Sequence, residues 1–102
     1  MPIRSRPALQ PGRPKGYSNL DEGIAVAFGK TAQRRRLQVG LSQEALALET
    51  GIERSYISRL ERGLSQPTLL VLLKLAKGLG CDAGELLAPV EKVFRRRRHS
   101  VQ

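Results

Sequence analysis

Five polar residues in one short stretch, Arg54, Ser55, Ser58, Arg59 and Arg62, are separated by steps of one, three, one and three. On a helix with 3.6 residues per turn such steps gather side chains on one side. Two kinds of donor would then stand together. A guanidinium is a planar fork suited to paired acceptors such as guanine O6 and N7, whereas a hydroxyl suits a single oxygen such as that of a phosphate. Ile57 and Leu60, three apart, fall on the opposite side and face inward. A helix apolar on one stripe and cationic on the other suits the major groove of DNA.

The elements that must hold this helix are legible on either side of it. Ser42 is a good N-cap, because its hydroxyl can accept from an orphan amide of a first helical turn. Leu46 and Ala47 follow on one face, and Ala47 is small enough to let a second helix cross closely. Gly51 stands where the chain leaves that helix, a place that favours left-handed torsions. Ile52 can staple onto Ile57, and Glu53 takes the cap position of the next helix. Ser42 to Gly63 is therefore expected to form two short helices broken by one glycine.

The run LSQEALA, then glycine, then YISRLERG, then Pro67, then LLKLAKGLG is more specific than helix–glycine–helix alone. It resembles the helix-turn-helix of the phage-repressor-like (lambda-repressor-like, XRE-type) transcriptional regulators, over roughly Phe28 to Leu87. The resemblance implies a five-helix, all-α DNA-binding domain. It implies base contacts from Arg54, Ser55 and Arg59 of the third helix, and a contact to the DNA backbone and nearby base edges from Gln43 beside Ser42. Ser42, Tyr56, Ser58 and Arg62 are expected at phosphates. The resemblance also implies an ion pair between Arg36 and Glu61, with Arg34 and Arg35 left to solvent or phosphate, and binding as a homodimer on half-sites about one helical turn, ~34 Å, apart. Glu53 departs from the family, which often has Ser or Thr at that cap. A carboxylate there suits the helix dipole but repels phosphate.

Around this centre the helices follow from caps and stripes. Asn19 with Glu22 resembles a capping box that would start a first helix near Leu20, with Leu20, Ile24, Ala27, Phe28 and Ala32 on its apolar stripe. Thr68 can cap a fourth helix whose core stripe is Leu69, Leu72, Leu75, Ala76 and Leu79. Leu70, Val71 and Leu73 are apolar beyond what that stripe needs. With Leu86, Val90, Val93 and Phe94 they form the expected dimer surface, the rival use being to let the C-terminal segment cover the domain's own core. Asp82 can cap a fifth helix carrying Leu86 and Leu87, and Pro89 to Phe94 reads as a short further helix before a basic tail, Arg95 to Arg98 with His99.

The chain of 102 residues carries a formal charge of +9. Between Asp21 and Ala88 the charges nearly cancel, nine basic against eight acidic, so the excess sits in residues 1–20 and 89–102. Basic ends favour a polyanion, nucleic acid or an anionic surface. The proline-rich start, residues 1–18, reads as a disordered basic arm, and its PGRPKG resembles the core of a minor-groove AT-hook without the preceding arginine. Residues 19–88 read as the DNA-binding domain and 89–102 as a dimerisation segment with a tail.

Other chemistry finds little to stand on. There is no phosphate-cradling glycine loop, no Cys/His set with metal spacing and no nucleophile paired with a histidine base. No catalytic residue, metal, cofactor or small-molecule ligand is expected. The single cysteine, Cys81, allows no internal disulfide and reads as packing. No secretory or membrane-spanning run is present, which gives a cytoplasmic, non-membrane expectation. The reading is a sequence-specific regulator of double-stranded DNA, a dimeric repressor acting near its own promoter. Its alternatives are an antitoxin or restriction–modification controller with a protein partner, and a non-specific architectural binder driven by its tails.

Overall fold

The computed structural model describes residues 20–101, which form five α-helices and no strand. They are α1 (Glu22–Gln38), α2 (Gln43–Thr50), α3 (Arg54–Glu61), α4 (Leu69–Leu79) and α5 (Ala83–Val101). The arm 1–18 with its PGRPKG stretch, and Asn19, lie outside the described residues. The cap of α1 is Asp21, whose carboxylate accepts from the Ile24 amide at 3.1 Å, so the helix begins at Glu22 and not near Leu20. Its buried line is Ala25, Phe28, Gly29, Ala32 and Arg36; Ile24 and Ala27 are half-buried and Leu20 is exposed.

Ser42 and Thr68 cap α2 and α4, accepting from the amides of Ala45 (2.9 Å) and Val71 (3.2 Å). Glu53 makes no side-chain cap bond to α3, although a carboxylate there could have done so. α2 ends at Gly51 with φ 76°, left-handed backbone that a Cβ would strain.

α1 packs most extensively against α5 and also crosses α3 and α4, while α2 packs on α3 and α4. Phe28, Leu46, Ile57, Leu60, Leu75, Leu79 and Leu86 are its largest fully buried side chains. The crossing of α1 with α3 is close: a Cβ built on Gly29 would lie 2.2 Å from the Leu60 carbonyl oxygen.

Three expectations are corrected at the C-terminal end. Leu69 is 72 % exposed, so the core stripe of α4 is Leu72, Leu75, Ala76 and Leu79. α5 runs unbroken through Pro89 to Val101, and includes the backbone of the arginine run that the sequence reading leaves as a tail. Pro89 removes one helical hydrogen bond, but Leu86 and Val90, on the flanking turns, are buried and hold the helix to the domain. Leu86 (1 % exposed) and Val90 (7 %) are thereby part of the chain's own core, not an outward face. An apolar helix stripe looks the same in sequence whether it covers its own core or a second chain.

Candidate nucleic-acid interface

α2, the Gly51 turn and α3 form the site. Because Ile57, Leu60 and Glu61 are buried, the opposite side of α3 is turned outward. Arg54, Ser55, Arg59 and Arg62 are exposed there, and Tyr56 and Ser58 are half-buried. The structure thus brings the cationic residues of this stretch onto one accessible face beside Ser42 and Gln43.

The arginines differ in how they are held. Arg59 donates from Nη2 to the Ser65 hydroxyl at 3.0 Å, and its guanidinium carbon lies 5.8 Å from the centre of the Tyr56 ring. Ser65 lies in the loop after α3, so the contacts of this exposed face extend past the helix itself. Arg62 donates from Nε back to the Ser58 carbonyl at 3.4 Å, one helical turn away.

Arg54 belongs to a network that starts in the interior. Arg36 of α1 meets Glu61 of α3 through two bonds, Nε to Oε2 at 2.7 Å and Nη2 to Oε1 at 3.0 Å, with both residues buried. The Glu61 carboxylate, by accepting these bonds, pushes the Arg36 pKa up, so the guanidinium stays charged despite its burial. Arg36 Nη1 also donates to the Leu41 carbonyl at 2.8 Å, tying the α1–α2 turn to the pair. Glu61 Oε1 accepts a third bond, from Gln43 Nε2 at 2.9 Å. Gln43 Oε1 in turn accepts from Arg54 Nη1 at 3.4 Å.

Several of these roles have no signal in the sequence. Arg35, assigned above to solvent or phosphate, donates instead to the carbonyls of Leu79 (3.3 Å) and Gly80 (3.2 Å) at the end of α4. Two of the three consecutive arginines are therefore structural, and Arg34 is the exposed one. Asp21 and Arg97 pair across 76 positions, Arg97 Nη2 donating to Oδ1 at 2.6 Å and Nη1 to Oδ2, while the Asp21 amide donates to Gln66 Oε1 at 3.0 Å. A carboxylate at a helix N-cap and an arginine late in a basic run are each explained locally, which hides such a pair.

Among the described residues no cluster of His, Cys, Asp and Glu could hold a metal ion, and no helix is long and apolar enough to cross a membrane. Cys81 is half-buried, and burial pushes its thiol pKa up, away from the reactive thiolate.

A capped helix, a left-handed glycine turn and a second helix with an apolar inner and cationic outer face define a helix-turn-helix DNA-binding domain. The helix-turn-helix family HTH_3 matches residues 33–86, just over half the chain. The chain belongs to this XRE-type family of DNA-binding transcriptional regulators. It is 38 % identical over 64 residues to the uncharacterized HTH-type transcriptional regulator y4dJ of Sinorhizobium fredii, covering 63 % of this chain and 83 % of that protein. It is 36 % identical over 70 residues to the control protein C.MunI of Mycoplasma sp., covering 68 % of this chain and 95 % of the relative. Among solved structures it resembles the restriction-modification controller protein C.AhdI of Aeromonas hydrophila, with a TM-score of 0.60 and 42 % identity over 61 % of this chain and 94 % of that one.

Proposed function

We propose that this regulator is a sequence-specific homodimer that places α3 in the major groove of double-stranded DNA and represses transcription from an operator near its own promoter. The observation that carries this reading is the outward face of α3, where Arg54, Ser55 and Arg59 stand exposed over a buried Ile57–Leu60 stripe. Arg54 and Arg59 offer forked donors for guanine edges, and Ser55 offers a hydroxyl. Ser42 at the start of α2, with Tyr56, Ser58 and Arg62, lies where phosphates flank the groove, and these contacts set register without reading sequence. The surface left for a second copy is Leu70 (61 % exposed), Leu73 (51 %) and Phe94, with the half-buried Val71 and Val93.

Selection of bound duplexes from a random DNA pool, in parallel with Arg54→Ala and Arg59→Ala, tests the reading. A two-fold symmetric consensus is expected, each variant losing ~1–3 kcal/mol of discrimination at its own base pair. Enrichment without a consensus, equally strong in both variants, would sink it and leave charge alone as the binding agent.

A narrower biological role, controller of a restriction–modification pair, is supported by the likeness to the control proteins C.MunI and C.AhdI. It requires the selected operator to lie upstream of adjoining nuclease or methyltransferase genes, and an operator elsewhere counts against it.

A further inference from the structure

The loop that follows α3 is anchored on both sides of Ser65. Before it, Gly63 is buried against α1 so closely that an added Cβ would lie 2.8 Å from Cγ2 and 3.1 Å from Cα of Val26. The next amide, that of Leu64, donates to the Arg59 carbonyl at 2.9 Å and closes the end of α3. After it, Gln66 accepts from the Asp21 amide through Oε1 at 3.0 Å, which ties the loop to the cap of α1. Ser65 itself is half-buried between these anchors. Its backbone has little room to shift.

The Ser65 hydroxyl accepts from Arg59 Nη2 at 3.0 Å, and the guanidinium carbon stands 5.8 Å from the centre of the Tyr56 ring. The two contacts do different things. An aromatic face attracts a cation but sets no direction within the plane of the guanidinium. A hydrogen bond to an oxygen in an anchored loop does set that direction. From this geometry we infer that Ser65 is a positioning residue for Arg59: an oxygen in the loop after α3 fixes how the guanidinium is turned, and so which base edge it can read. One hydrogen of Nη2 is committed to the hydroxyl, and the rest of the fork is left for a base pair. Because the loop takes its place from Val26 and Asp21, the first helix and its cap contribute to the aim of Arg59.

This inference rests on the reading of α3 as the base-contacting helix, and the test separates the two. Base preference would be measured with the full chain, unaltered and as Ser65→Ala, Ser65→Thr, Arg59→Ala and the double variant Ser65→Ala with Arg59→Ala. Expected in Ser65→Ala is a roughly three- to tenfold loss of preference at the base pair that Arg59→Ala identifies, the loss of one hydrogen bond's worth of order, with no further loss in the double variant. Ser65→Thr keeps the hydroxyl and should keep the preference. A loss as deep in Ser65→Thr as in Ser65→Ala would put the effect in the loop's fold and overturn the inference. If Ser65→Ala weakens all duplexes alike, or leaves all of them unchanged, the hydroxyl does not aim Arg59 and the inference is overturned as well. If the unaltered protein selects no consensus, the reading of α3 fails and a DNA-free measurement decides the tie. Nitrogen-15 relaxation of the Arg59 guanidinium should show a restrained side chain that Ser65→Ala releases and Ser65→Thr does not. Equal mobility in the unaltered protein and Ser65→Ala overturns the tie whatever the DNA does.

Discussion

At the scale of single residues, the exposed arginines of α3 are tied to neighbours within the domain. Arg59 rests on Ser65 and Tyr56, and Arg54 rests on Gln43. Such ties remove part of the rotamer freedom that an arginine otherwise loses on binding. The pair between Asp21 and Arg97 shows the same economy in a structural place. The Arg97 guanidinium, with the Ile24 amide second, holds the Asp21 carboxyl down at about 2, against an ordinary value of 3.8. Because the folded value lies below the unfolded one, this contact supports the fold above about pH 4, and the support is lost as the pH falls from there toward 2. Arg97→Ala should bring the Asp21 titration back up toward 3.8, followed by carbon-13 shifts of its carboxyl. A titration still centred near 2 in the variant would mean that the helix cap alone holds the carboxylate.

At the scale of helices, close crossings decide how the site is presented. α3 is only eight residues long, too short to be stable alone, so its orientation comes from α1 and α2. At Gly29, α1 lies close against the backbone at the end of α3. An alanine there would drive its Cβ to 2.2 Å from the Leu60 carbonyl oxygen and 2.8 Å from that of Glu61, both backbone atoms that cannot swing aside. Gly29→Ala is expected to destabilise the domain by about 3 kcal/mol, read as a lower urea midpoint with an unchanged slope. A midpoint equal to that of the unaltered protein would show that the two helices slide apart at little cost. The two helices of the turn could be read from sequence because their signals are local: a serine cap, a glycine exit, and Ile57 and Leu60 one turn apart. α5 could not be bounded in the same way. Pro89 reads as a stop, and only the three-dimensional burial of Leu86 and Val90 explains why the helix continues. Likewise the contacts of Arg35 with the end of α4, and of Gln43 with Glu61, join residues that no periodicity connects.

At the scale of the molecule, α4 and α5 carry part of the apolar surface that the domain does not cover. Leu69, Leu70 and Leu73 are exposed on α4, and Leu87 and Phe94 on α5. An apolar cleft of about 310 Å³ between α1, α4 and α5 has Leu69 and Leu87 in its lining. If this surface joins two copies, the double substitution Leu70→Glu with Leu73→Glu should leave helical content intact and shift sedimentation from dimer to monomer. Because two linked half-sites then become one, operator affinity should fall together with the two-fold symmetry of the footprint. An unchanged sedimentation coefficient would remove Leu70 and Leu73 from any self-association. The all-helical class and the two helices of the turn were legible in sequence from the caps and stripes of α2 to α4. Which leucines are sealed and which stay open was not, because that depends on how α5 lies across α1.

That α1–α5 contact also has a bearing on the order in which the protein is made. The apolar line of α1 emerges among the first residues of the domain, yet the helix it packs against most is the last to be synthesised. While α2, α3 and α4 leave the ribosome, Ala25, Phe28 and Ala32 have only part of their final cover, and the clasp of Asp21 on Arg97 cannot close until α5 is out. Native packing of the domain thus waits for α5, and a nascent chain halted after α4 would still expose the face of α1 that α5 later seals.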